Sequence, residues 1–513
     1  MKPVFLFVAV FFFLQSPAQT SRKPIDTSVQ TLIVFFDGLR PDYITADLMP
    51  QLTAFKAKAS YGSNHHSVYP TVTRVNASSY STGSYPSAHG LMGNTVYFPQ
   101  VDAKKGINTG EAEEMQKVIE ATHGHLLTAT TLGEVLQSVG AKMMVFSSGS
   151  TGQALMQNHT ISGGATINPK MILPASQTQD ILNTIGPVPA HAKPNTGQHQ
   201  WVTDALIQYG LKKDGPLVSA IWFSDPDGAA HSDGIGSPAA VASIRSVDEQ
   251  FGRILQTLKD RGLDQKFNIL ISTDHGFVTH IGKESLPDLL IRKGLKKDKE
   301  SDDVIVVGGA LYVKDHNPER IKKIVAALQA EEWIGAIFTR GKKAGDLKGF
   351  VEGTLSFESV HWDHQERSAD ILVDVNWNDE KNGTGYAGSS FSRGVAGHGS
   401  LSPYEVHIPL IAFGPGFKRN YESPLPTSNV DLVPTILHLY GIPLPKTMQG
   451  RVMTELFAGG KEAPELRPTK EVIRTEARSA EGTYVLTLER TVLGSHRYVD
   501  FARVQRTKGM ARP

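Results

Sequence analysis

Six apolar runs rich in Val, Ile and Phe punctuate this chain, at 31–36, 142–146, 217–223, 267–271, 371–375 and 408–413. None alternates apolar with polar residues as a half-exposed strand would. Strands apolar on both faces belong in a parallel sheet covered on both sides. Helical patterns fall between them, at 239–259 and 430–439. Strands alternating with helices indicate an α/β, doubly wound, mostly parallel sheet with helices on both faces. With 513 residues, 40% of them hydrophobic, the chain can bury the large core such a sheet requires.

Three of the runs lead into aspartates. Asp37 directly follows Phe35-Phe36, Asp225 and Asp227 follow Ile221-Trp222-Phe223, and Asp274 follows the run at 267–271. Open α/β sheets place their active sites just beyond the carboxyl ends of the strands. Imidazoles accompany these carboxylates: His231 is four residues after Asp227, His275 is next to Asp274, and His398 sits between Gly397 and Gly399. Singly, each has an ordinary explanation. Asp37-Gly38 can cap a helix, and Asp274-His275 can be a cap beside a surface His. Together, three carboxylates and three imidazoles suffice for two divalent cations. Gly276 is expected to relieve the tight turn that lets Asp274 and His275 converge. His and carboxylate donors without Cys suit zinc, with Mn, Co or Fe as alternatives. A turn, Thr71-Val72-Thr73, leads into a short helical pattern, where backbone N–H groups and a bound cation would favour a nucleophilic alkoxide. Asn94, after Gly93, is a candidate amide donor to a phosphoryl oxygen, or a simple turn residue.

The stretch 282–364 carries its own strand and helix patterns and reads as an inserted α+β cap subdomain within a catalytic domain spanning 28–460. Residues 461–513 read as a tail with possible strands at 483–488 and 497–501. Met1-Lys2, the apolar run 4–14 and Ser16-Pro17-Ala18 have the form of a secretory signal peptide, 1–18; the alternative is an N-terminal anchor. No later run approaches the ~20 apolar residues of a spanning helix. The absence of Cys removes disulfides and thiolate chemistry. These features point to a secreted or periplasmic enzyme. A net charge of +1 with no basic stripe argues against nucleic acid as a partner and leaves a small-molecule substrate.

The order of Asp37, Thr73, Asp227/His231, Asp274/His275 and His398 resembles the alkaline phosphatase superfamily. Within it, the chain is most similar to the nucleotide pyrophosphatase/phosphodiesterase (type I phosphodiesterase) family. The carrying stretches are Phe36-Asp37-Gly38-Leu39-Arg40-Pro41, the segment from Thr82 to Asn94, Asp227 to His231, Asp274-His275-Gly276 and Gly397-His398-Gly399-Ser400. The resemblance implies an alkaline phosphatase-like fold and two zinc ions. One would be held by Asp227, His231 and His398. The other would be held by Asp37, Asp274 and His275 with the Thr73 hydroxyl. It also implies that Thr73 attacks phosphorus to form a phospho-threonine intermediate, which water then hydrolyses. Thr73 is favoured over Thr71 because the family's nucleophile lies three residues before an Asn, here Asn76. Asn94 matches the family's oxyanion-binding Asn.

The chain departs from the family where nucleotide-cleaving members usually read Thr-Phe-Pro-Asn-His. Here the sequence is Thr73-Arg74-Val75-Asn76-Ala77. Arg74 replaces an aromatic that helps sandwich a nucleobase, and a guanidinium there can contact a more highly charged monoester or a phosphonate carboxylate. The expectation is therefore an exported two-metal phosphodiesterase or nucleotide pyrophosphatase. The alternative is a phosphomonoesterase or phosphonate hydrolase on the same metals. A non-catalytic binding protein is a third reading, but it would have been expected to lose a ligand.

Overall fold

The computed structural model describes residues 27–460, 467–480 and 482–508; the leader expected at 1–18 lies outside them. A ten-stranded sheet forms the centre. In spatial order it runs Tyr421–Ser423, Ser60–His66, His407–Phe413, Phe267–Ser272, Gln30–Phe36, Val218–Phe223, Met143–Ser147, Ala165–Asn168 and Met171–Leu173, with Thr427–Ser428 also paired to Ser60–His66. The five strands from Phe267–Ser272 to Ala165–Asn168 are mutually parallel. His407–Phe413 runs against both of its neighbours. Five of the six apolar runs are therefore central strands, as their two-sided hydrophobicity requires. Ser60–His66, sequence SYGSNHH, is too polar to have been recognised as a strand and is held by pairing on both sides.

Alternation inside Gln30–Phe36 feeds two cores. Ile33 and Phe35 join Tyr80, Trp222 and Leu432 on one face. Leu32, Val34 and Phe36 join Trp201, Val247 and Phe251 on the other. Helices Thr73–Thr82 and Leu432–Leu439 cover the first face; Thr196–Ala205 and Pro238–Asp260 cover the second. Burying each such side chain contributes ~1.5–3 kcal/mol. Phe35 stacks on Trp222 at 4.5 Å, and Phe36 meets Phe223 at 5.5 Å. The strand ends that carry Asp37 and Asp227 are thus anchored in dense aromatic packing.

The sixth run is a correction. Ile371–Val375 is not in the parallel sheet but is the middle strand of a separate five-stranded one. That sheet runs Val304–Val307, Ala310–Val313, Ile371–Val375, Ile334–Thr339, Leu355–Ser356, and Ile371–Val375 pairs antiparallel with both neighbours. The inserted subdomain therefore extends past residue 364, where the sequence reading ended it. Helix Pro318–Gln329 buries Ile321, Ile324, Val325 and Leu328 in its core. A middle strand of any layered sheet is apolar on both faces, so hydrophobicity alone cannot assign it.

The C-terminal segment is more than a tail with two strands. Thr469–Ser479, Gly482–Leu493 and His496–Lys508 form an antiparallel sheet. It is tied to the rest by Trp377 Nε1 donating to the Ala502 carbonyl at 2.7 Å, Tyr484 Oη to Gly335 at 2.9 Å and Arg490 to Ser359 at 3.0 Å. Among the described residues no helix is long and apolar enough to cross a membrane.

Candidate active site

Three adjacent parallel strands deliver the carboxylates. Asp37 follows Gln30–Phe36, Asp274 lies two residues past Phe267–Ser272, and Asp227 opens the helix Asp227–Asp233 after Val218–Phe223. The Asp227 N–H donates to the Asp37 carbonyl at 2.9 Å. The two backbones approach so closely that a Cβ on Gly38, which has φ +72°, would lie 3.2 Å from Asp227 Cα. His231 is one helical turn beyond Asp227. His398 arrives from the far side of the sequence because Ala396–Gly397 pairs with Val278–His280, just after His275. Gly276 is required for a different reason from the one the sequence suggested. Its φ is not positive, but a Cβ there would lie 2.1 Å from the Tyr404 carbonyl oxygen.

All three imidazoles are oriented alike. Nδ1 faces a backbone carbonyl in each: Ala396 for His231 at 3.0 Å, Gly276 for His275 at 2.9 Å and Thr71 for His398 at 2.8 Å. A carbonyl only accepts, so Nδ1 carries the hydrogen and Nε2 presents its lone pair inward. There the lone pairs meet carboxylate oxygens. His231 and His398 Nε2 lie 3.2 and 3.3 Å from Asp227 Oδ1. His275 Nε2 lies 2.9 Å from Asp274 Oδ2 and 3.6 Å from Asp37 Oδ1. Those three oxygens, Asp37 Oδ1, Asp227 Oδ1 and Asp274 Oδ2, are buried without a hydrogen-bond donor. Lone pairs facing lone pairs in a buried site call for cations between them. Ligand atoms of Asp37, Asp274 and His275 fall within 4.8 Å of one another, as do those of Asp227, His275 and His398. The donor set therefore fits two divalent metals, with His275 Nε2 near both groups and His231 reaching the second through Asp227.

Against burial, which lowers both, Asp227 raises the pKa of His231 and Asp274 that of His275; a bound cation would take the place of those protons. Burial, then Asp274 and Asp227, push the Asp37 carboxyl well above its usual range. Burial, with His275 stacked 3.3 Å away, pushes His398 down to about 4, leaving it neutral and able to ligate. Trp222 Nε1 donates to Asp37 Oδ2 at 2.9 Å, leaving only Oδ1 directed at the centre.

The two threonines differ in aim. Thr71 Oγ1 donates to the Ser400 carbonyl at 2.7 Å, away from the centre. Thr73 Oγ1 lies 3.3 Å from His275 Nε2, in the first turn of Thr73–Thr82. Asn76 fixes that turn: its Nδ2 donates to the Val68 carbonyl at 3.0 Å and its Oδ1 accepts from the Val68 N–H at 2.8 Å. Asn94 Oδ1 accepts from the Arg74 N–H at 3.0 Å, so its N–H2 end is the one available to a ligand. The Arg74 guanidinium lies in the field of Asp37, Asp227 and Asp274, although burial lowers its pKa, and its Nε has no acceptor. A cavity of about 430 Å³ runs from Asn94 and His398 to the inserted sheet at Val307 and Leu372.

Asp225, which follows the same strand as Asp227, and His89, within the stretch from Thr82 to Asn94, lie outside this cluster. Asp225 accepts from the Ala229 N–H at 3.1 Å and so caps the Asp227 helix. His89 is buried against Ser79 at 2.9 Å.

Sequence reasoning missed Glu405. This buried carboxylate accepts from the Gly399 and Ser400 N–H groups and Ser400 Oγ at 2.6 Å, and from Thr71 Oγ1 at 3.2 Å. It joins the loop of His398 to the loop of Thr73. A glutamate in Pro403–Val406 carries no motif that would have flagged it. Glu405→Gln turns one acceptor into a donor facing donors. Unfolding free energy should fall by roughly 3 kcal/mol, read as a lower urea midpoint at unchanged slope. An unaltered midpoint would show that Glu405 does not hold these loops.

The type I phosphodiesterase / nucleotide pyrophosphatase family model matches residues 31–380, a span that includes Asp37 through His275 and ends before His398. Ectonucleotide pyrophosphatase/phosphodiesterase family member 1 of Rattus norvegicus is 26% identical over 271 residues, covering 51% of this chain and 25% of the rat protein. The chain thus spans about a quarter of that relative's length. Bis(5'-adenosyl)-triphosphatase enpp4 of Xenopus laevis is 23% identical over 429 residues, covering 82% of this chain and 79% of the frog protein. Among solved structures, an inactive variant of murine ectonucleotide pyrophosphatase/phosphodiesterase 5 in complex with AMP aligns with TM-score 0.61 at 18% identity, covering 84% of this chain and 100% of that one. A mutant of the alkaline phosphatase PafA aligns with TM-score 0.63 at 16% identity, covering 83% and 98%. These two likenesses establish the alkaline phosphatase-like fold.

Proposed function

The chain belongs to the type I phosphodiesterase / nucleotide pyrophosphatase family of the alkaline phosphatase superfamily, and from that premise we propose that it is an exported, two-metal phosphoric ester hydrolase of phosphodiesterase type. The observation that carries this reading is the convergence of three inward-facing Nε2 atoms on three unpartnered carboxylate oxygens beside the Thr73 hydroxyl. Asp227, His231 and His398 would hold one cation; Asp37, Asp274 and His275, with Thr73, would hold the other. Zinc suits this donor set. Bound there, the cations would lower the pKa of the Thr73 hydroxyl and neutralise phosphoryl oxygens.

This chain's residues supply the rest. Thr73 Oγ1, fixed by the Asn76 turn, forms a bond to phosphorus in line with the ester oxygen that leaves. The proton from Thr73 passes to solvent, and the departing alkoxide is protonated from solvent. Asn94 N–H2 donates to a non-bridging oxygen, where charge develops. Water then attacks the phospho-threonine, breaking the P–Oγ1 bond and releasing phosphate or a monoester. Relatives are described as nucleotide pyrophosphatases and a dinucleoside triphosphatase, which supports a small phosphate ester or anhydride as substrate.

Arg74 supports a second reading, a monoesterase. A half-buried guanidinium without an acceptor on Nε suits a dianion better than a monoanion. Paired rates on bis(4-nitrophenyl) phosphate and 4-nitrophenyl phosphate, with zinc supplied, decide between the two. A diester preference is expected, and a monoester preference would move the protein to the phosphatase branch. Arg74→Ala should cost the monoester roughly tenfold more in kcat/KM than the diester, equivalent to ~1.4 kcal/mol of differential contact. Equal losses would remove Arg74 from the substrate.

A further inference from the structure

Ser60–His66 and His407–Phe413 pair antiparallel with His66 directly opposite His407. Directly opposed residues project from the same face, and the two rings are 4.9 Å apart. The last strand of the C-terminal sheet lays Asp500 against them, with Oδ1 3.1 Å from His66 Nε2. One ligand atom from each of the three lies within 4.8 Å of the others.

The donor states suit a cation. His66 Nδ1 faces the Thr427 carbonyl at 2.9 Å, so its hydrogen is there and the Nε2 lone pair faces a carboxylate. This is the arrangement found three times in the catalytic centre. Burial, then His66, pushes His407 down to about 3, so it is a neutral imidazole at working pH. Lys470 Nζ lies 3.1 Å from Asp500 Oδ2, while Thr491 Oγ1 touches both oxygens at 3.0 and 2.9 Å. Oδ1 therefore remains the oxygen directed at the imidazoles. His407 is half-buried.

We propose that His66, His407 and Asp500 form a third divalent-metal site, of the zinc class, that staples the C-terminal sheet to the central one. Two imidazoles, a carboxylate and a water complete a tetrahedron. None of the three belongs to the catalytic centre, so the role is structural.

Zinc bound per full-length chain, measured by plasma mass spectrometry after dialysis against buffer with trace zinc, tests this. The reading is a difference between variants, so it holds whether the catalytic centre binds two zincs or none. His407→Ala should lose one zinc per chain while keeping wild-type kcat on the phosphate ester. The near-isosteric Asp500→Asn should lose the same one, which guards against a misfolded alanine variant. Both should also lose the part of the zinc-induced rise in Tm that persists in Asp227→Asn. Equal zinc content in wild type and both variants would overturn the proposal. So would a Tm drop in Asp500→Asn at unchanged zinc content, which would show a proton, not a metal, between His66 and Asp500.

Discussion

Thr73→Ala should abolish ester hydrolysis while leaving the fold intact. Removing a nucleophile that works as one unit with its surroundings typically costs 10⁴-fold or more in kcat. The fold should survive because the Thr73 hydroxyl makes one long contact, 3.3 Å to His275 Nε2, and Ala suits the first turn of Thr73–Thr82. Thr71→Ala should behave in the opposite way. Its hydroxyl holds the Ser400 carbonyl at 2.7 Å, so stability should fall by about 1 kcal/mol and kcat by less than tenfold. Single-turnover assays with radiolabelled diester should trap a phosphorylated wild-type chain and none with Thr73→Ala. Activity in Thr73→Ala above a tenth of wild type would rule out the phospho-threonine route.

Asp227→Asn should be the most damaging change to metal binding. Asp227 Oδ1 is the one oxygen that both His231 and His398 face, at 3.2 and 3.3 Å. An amide of the same shape keeps the backbone bond from the Asp227 N–H to Asp37 but removes the charge. One catalytic metal should be lost. With it should go several kcal/mol of transition-state stabilisation, or about 10³-fold in rate at ~4 kcal/mol. Excess zinc should restore only part. Asp227→Asn that kept wild-type metal content and rate would refute the proposed assignment of ligands.

The sequence reached the clustered carboxylates and imidazoles because their signal is local. Each aspartate ends an apolar run, and chain order alone carries the family pattern. What it could not place was anything set by pairing. Ile371–Val375 is as apolar as the central strands, yet it sits in the inserted sheet because its partners are Ala310–Val313 and Ile334–Thr339. Polar Ser60–His66 is a strand only because two neighbours hold it. Glu405 looks like any helix glutamate until Gly399, Ser400 and Thr71 surround it.

By itself, then, the sequence determined the α/β class, the strand ends that carry Asp37, Asp227 and Asp274, and the family. Backbone preference and the burial of apolar runs act over a few residues and are written in them. The family pattern favoured Thr73, but only the tertiary structure placed its hydroxyl 3.3 Å from His275 Nε2 and turned that of Thr71 to the Ser400 carbonyl. It also decided that three Nδ1 atoms are committed to carbonyls and that Glu405 joins two loops. These depend on hydrogen bonds between residues up to hundreds of positions apart, whose partners are chosen by packing and not by spacing.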